Sequence, residues 1–144
     1  MNKDINQVWE LAQSPDIVWQ YLTTPELIAQ WLMKNDFKPE VGHKFNFHTM
    51  PMKAFGFDGV VYCEVLELVP MQKLVYSWRG GNNGKINLDS VVTWTLTPNS
   101  TGTTLQLQHT GFKGLKNLMA YVSMNAGWGS KIKTRFTELV TQHK

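Results

Sequence analysis

Along the chain the spacing of apolar residues shifts between helical and strand periods, and each shift marks a new element. Ile5, Val8, Trp9 and Leu11 form a short mixed run over 5–11, too brief for a stable helix ahead of the next proline, so a strand is expected. Ser14, Pro15 and Asp16, and again Thr24, Pro25 and Glu26, place a hydroxyl at a helix N-cap, proline at the first helical position and a carboxylate in the first turn. Ile17, Val18, Tyr21 and Leu22 then share one face, as do Leu27, Ile28, Trp31 and Leu32. Two short helices with no room for a linker follow.

From residue 44 the period becomes two. Phe45, Phe47 and Thr49 alternate with Asn46 and His48 until Met50, Pro51 and Met52 break the run. Strand-like runs recur at 57–68, 72–79, 87–97 and 103–110, separated by turn chemistry at Pro70, at 80–84 and at 98–102. Such short connections demand an antiparallel meander, because a parallel crossover needs about a dozen residues. Over 115–140 the helical period returns: Leu118, Tyr121, Val122, Trp128, Ile132, Phe136, Leu139 and Val140 line one stripe of a long helix. Gly127 and Gly129 interrupt it, each at a cost of about 1 kcal/mol against alanine. Close approach of the helix backbone to the sheet is one reason for them, and room for a guest molecule is another.

A strand, two short helices, five strands and a long helix make an α+β domain: a curved antiparallel sheet of about six strands wrapped around the C-terminal helix. At 144 residues there is length for a single domain over 1–144. No apolar run reaches the length of a membrane span and no stretch of signal-peptide type opens the chain, so a cytoplasmic protein without membrane insertion is expected. Cys63 stands alone, which disfavours disulfide and thiolate-zinc classes. The net charge of +3 does not signal nucleic acid, because the excess is confined to the C-terminal helix, where Lys131, Lys133 and Arg135 complement the helix dipole on a solvated face. Catalytic fingerprints are missing, and His43, His48, Cys63 and His109 are too scattered for a metal site.

The motifs, taken in order, are Ser14-Pro15 with Val18-Trp19, Thr24-Pro25-Glu26 with Trp31, Phe37, Pro39 and Val41-Gly42. They continue with Gly59-Val60-Val61, Leu74-Val75-Tyr76-Ser77-Trp78, the run from Val92 to Pro98, Gly102-Thr103 with Leu105, His109-Thr110-Gly111-Phe112 and Gly127-Trp128. In order and spacing over 5–141 the chain resembles the START-like, helix-grip superfamily (SRPBCC), in the branch named for the activator of heat-shock protein 90 ATPase. The resemblance implies a deep apolar tunnel between sheet and C-terminal helix, used across the superfamily for lipids, polyketides, flat aromatic molecules or hormones. A carrier or sensor of a small apolar or aromatic molecule is the leading expectation, acting as a monomer or weak homodimer without cofactor, metal or catalytic residue. Two alternatives stand beside it: an enzyme of cyclase or hydrolase type in the same cavity, and a regulator of a chaperone ATPase, with the chaperone-binding domain of the eukaryotic members missing.

The candidate ligand-binding residues are Trp31, Phe47, Tyr76, Trp78, Arg79, Trp94, His109, Tyr121, Asn125 and Trp128. Asn125 lies three residues before Trp128 and four after Tyr121, on the expected buried stripe, where its amide needs a partner in the protein or in a ligand. His109 follows Leu105 and Leu107 on an apolar strand face, either as a satisfied core residue or as a site residue. Arg79 is either an anchor for an anionic group at the tunnel end or a solvated hairpin residue. The segments Met50-Pro51-Met52 and Phe55-Gly56-Phe57 suit a flexible rim.

Overall fold

The computed structural model of the chain describes residues 2–51, 57–82, 85–113 and 117–142. Met52, Phe55 and Gly56 of the expected rim lie outside them, as does the expected start of the long helix at 115. The elements run β1 (Asn2–Leu11), α1 (Pro15–Thr23), α2 (Pro25–Trp31), β2 (Lys34–Asn35), β3 (Lys44–His48), β4 (Val60–Val69), β5 (Lys73–Asn82), β6 (Lys85–Asn99), β7 (Gly102–Lys113) and α3 (Leu118–Gly127). A π-helical turn (Trp128–Ile132) and α4 (Lys133–Thr141) complete the chain. One seven-stranded antiparallel sheet has the order β1-β7-β6-β5-β4-β3-β2. The additional strand is β2, two residues that no period could announce.

Both prolines stand at the first turn of their helices, as their fixed φ requires. The cap hydroxyls do not act as expected: neither Ser14 nor Thr24 bonds an open amide of its helix, and Ser14 Oγ turns to the Asp16 carboxylate instead. Alternation sets the inner face of the sheet. Phe45 and Phe47, Val61 and Cys63, Tyr76 and Trp78, Val92 and Trp94, and Leu105 and Leu107 are all buried on it, opposite Trp128, Phe136 and Val140 of the C-terminal helix. Among the described residues no helix is long and apolar enough to cross a membrane.

The C-terminal helix departs from a single stripe. At Trp128–Ile132 it widens into a π turn, whose i→i+5 bonding takes up one extra residue. At about 100° per residue, the segment before the turn is therefore out of phase with the segment after it. Ala120, Tyr121 and Met124 face the core, while Leu118 and Val122 are 40% and 54% exposed. A Cβ at Gly129 would lie 2.9 Å from Gln7 Nε2, the end of a flexible side chain, so a residue there would displace the Gln7 amide rather than the sheet backbone.

Candidate functional site

Between the sheet and the C-terminal helix the side chains meet as rings. Trp128 packs on Trp78 at 5.7 Å between centroids and on Trp94 at 5.6 Å. Trp94 in turn meets Trp31 at 5.8 Å, and Phe47 meets Trp78 at 5.3 Å and Tyr76 at 6.2 Å. Such edge-on and tilted pairs set the positive rim of one ring on the negative face of the next. The indole N–H groups of Trp31, Trp94 and Trp128 are satisfied inside the protein. Trp94 Nε1 donates to the Tyr76 hydroxyl at 3.0 Å, and Trp31 Nε1 to the Tyr21 carbonyl at 2.8 Å. Burial pushes the Tyr76 phenol and the Cys63 thiol up, so both stay neutral.

His109 sits at the centre of this wall, fully buried, with both ring nitrogens engaged. Trp128 Nε1–H lies 3.1 Å from Nδ1, and an indole N–H only donates, so Nδ1 carries the lone pair. The proton is then on Nε2, which donates to Ser90 Oγ at 2.8 Å, and that hydroxyl donates to the Trp78 carbonyl at 2.7 Å. Burial lowers the imidazole from 6.5 to about 3, consistent with a neutral ring. The hydrogen-bond direction excludes a serine nucleophile activated by this histidine: Nε2 already holds a proton and has nothing to accept with. Its role here is to tie the helix, through Trp128, to β6 and β7.

Gly111 makes this arrangement possible. At φ +109° it kinks β7, and the register against β1 shifts between Lys3 and Ile5, so His109 and Phe112, three residues apart, both point inward. Their rings meet at 4.7 Å, and Phe112 meets Tyr121 of α3 at 5.8 Å. Among the described residues no group of three or more His, Cys, Asp or Glu gathers where a metal could be held.

A family model, Activator of Hsp90 ATPase homolog 1-like protein, matches residues 12–141. The chain belongs to this family. Protein MLL2253 from Mesorhizobium loti is similar over 99% of both chains, with 36% identity and a TM-score of 0.87. Protein BH1534 from Bacillus halodurans shares 25% identity over 97% of this chain and 99% of its own, with a TM-score of 0.76. DynU16, from the dynemicin biosynthetic locus, shares the fold at 20% identity and a TM-score of 0.77, over 96% of this chain and 47% of its own. No curated protein matches the chain. Family and fold together support a ligand-binding or enzyme-like role in general terms, and the helix-grip architecture expected from the sequence stands.

The predicted site residues fall into three groups. Trp31, Phe47, Tyr76, Trp78, Trp94, His109 and Trp128 line the inner wall and are between 0% and 3% exposed. A hollow wide enough for water would show as accessible surface on its lining, so these seven press on one another and the expected tunnel is not open along them. Tyr121 is half-buried at the edge of the wall. Arg79 and Asn125 need correction. Arg79 neighbours Trp78 in β5 and so points to the opposite face, where its guanidinium pairs with Asp89 at 3.0 Å in an open groove of about 320 Å³ beside Lys44, Tyr62 and Glu64. Asn125 is exposed, because the π turn rotates α3 away from the phase its spacing implied. Of the rim residues within the described chain, Met50 is exposed and Phe57 half-buried against Gly80.

Sequence reasoning missed Gln7, Ser90 and Phe112. Gln7 accepts from Trp9 Nε1 at 3.1 Å and donates to the Asn125 carbonyl at 3.3 Å, joining β1 to the end of α3. Alternation with Val92 and Trp94 was a signal for Ser90. Phe112 is hidden from such counting by the Gly111 kink.

Proposed function

We propose that this protein is a non-enzymatic carrier or sensor that takes one small, flat, largely apolar molecule between the sheet and the C-terminal helix. One observation carries the reading: the wall that would meet a guest is a continuous surface of rings on which the indole N–H groups of Trp31, Trp94 and Trp128 and both nitrogens of His109 are already partnered within the protein. Such a surface offers a guest faces and edges of rings and no charge, which suits aromatic or polyketide-like molecules better than polar ones. Trp78, Trp94, Tyr121 and Trp128 are the proposed contacts, with Trp31, Phe47, Tyr76 and His109 behind them. The engaged state of His109 favours a carrier over a cyclase or hydrolase built on that residue.

Because the seven described wall residues leave almost no accessible surface between them, a guest seated among them must part them. Burying about 300 Å² of apolar guest surface at about 25 cal/mol per Å² gives a gross ~7 kcal/mol, and opening subtracts from it, so affinity in the micromolar range or weaker is expected. Native mass spectrometry of protein purified from its own host tests the reading. A retained small aromatic or polyketide-like molecule, released on unfolding, supports it. An empty protein that also binds no member of a flat-aromatic panel below millimolar concentration contradicts it.

A further inference from the structure

The C-terminal helix carries one apolar stripe in sequence and two in space. Continued upstream as an unbroken α-helix, the inward face of α4 (Ile132, Phe136, Leu139 and Val140) passes through Trp128 to Leu118, Tyr121, Val122 and Asn125. The π turn displaces that phase by one residue, and α3 instead presents Ala120, Tyr121 and Met124 to the sheet. None of the described side chains of α3 is buried, whereas Trp128, Phe136 and Val140 beyond it are between 0% and 1% exposed. Two large apolar side chains of the first face, Leu118 and Val122, are thus left in water. Tyr121 belongs to both.

The junction is built to allow either phase. Gly127 has nothing closer to its missing Cβ than Ile132 Cδ1 at 4.0 Å. Two contacts at this end depend on the phase of α3: the packing of Met124 on the core and the 3.3 Å hydrogen bond from Gln7 Nε2 to the Asn125 carbonyl. Packed helices change state by discrete shifts of this kind, and π turns concentrate at functional positions.

We infer that α3 has a second register, reached when the π turn relaxes to α-helix and α3 rotates by about one residue's worth of angle, and that the guest selects it. In this register Leu118 and Val122 turn toward the sheet to cover the guest, and the Asn125 carboxamide reaches it. The inference rests on the carrier reading and narrows it: the guest is a flat apolar molecule bearing a hydroxyl or carbonyl for that amide.

The test is a titration of the intact protein with 2-naphthol and with naphthalene, followed by tryptophan fluorescence. Val122→Asp places a charge on a side chain that is exposed in the observed register, so the thermal midpoint should hold while 2-naphthol affinity falls on the order of tenfold or more. Ser123→Asp, exposed in both registers, should bind within about twofold of the parent. Asn125→Leu should weaken 2-naphthol severalfold and leave naphthalene unchanged. Val122→Asp binding as the parent does overturns the second register and leaves the carrier reading intact. If the parent binds neither probe, both fall.

Discussion

His109 shows how much chemistry one buried residue settles. Its ordinary value of 6.5 drops to about 3 in the fold, so between those values the unfolded chain holds a proton that the native chain refuses. Stability is therefore full above about 6.5 and falls with pH toward 3, by about 1.4 kcal/mol per pH unit from this group. Urea titrations at pH 7, 5.5 and 4.5 should show that slope, and His109→Phe should flatten it; an unchanged slope in the variant would assign the acid sensitivity elsewhere. Arg79 gives the opposite case. Its pair with Asp89 is more than half exposed, so Arg79→Ala should change stability by no more than about 0.5 kcal/mol and leave guest binding untouched. Its orientation was legible from the sequence, since Trp78 and Arg79 are adjacent in a strand and cannot face the same side. His109 and Trp128 were legible as inward residues, but the bond between them was not, because it joins elements 19 positions apart.

At the scale of elements, local chemistry was readable and tertiary adjustment was not. Pro15 and Pro25 fix helix starts through their own φ, and the breaks around Pro70 and 98–102 act through turn preference, so these boundaries appear in the sequence. Gly111 permits the kink in β7 through its positive φ but does not announce where the inward face resumes, and the π turn has no such local cause. Each arises where two packed surfaces fit only if one chain takes up an extra residue, and each then shifts every inward position on one side of it. For this reason Phe112 was missed and Asn125 was placed inward. Gly111 is the exception that can be tested directly, because a Cβ at its φ of +109° would lie 2.8 Å from the Asp89 carbonyl oxygen. Gly111→Ala should destabilise by at least about 1–3 kcal/mol in chemical denaturation. A neutral outcome would mean that β7 can straighten and that Phe112 is not held over His109 by the kink.

For the whole molecule, the curved sheet, the two short helices and the C-terminal helix surround a core of rings, and among the described residues Trp31, Phe47, Trp78, Trp94 and Trp128 pack on one another there. A guest seated on these rings competes with their packing on one another, which makes the opening equilibrium part of the affinity. The family and its solved relatives share the fold; the proposed preference for a guest comes from the residues of this chain. The measurement that bears most directly on this account follows the indole N–H signals by two-dimensional NMR while 2-naphthol is added. The account predicts that the signals of Trp78, Trp94 and Trp128 move together and saturate below millimolar concentration, while that of half-buried Trp19 on α1 stays in place. Stationary signals from those three, or a response confined to Trp19, would contradict it.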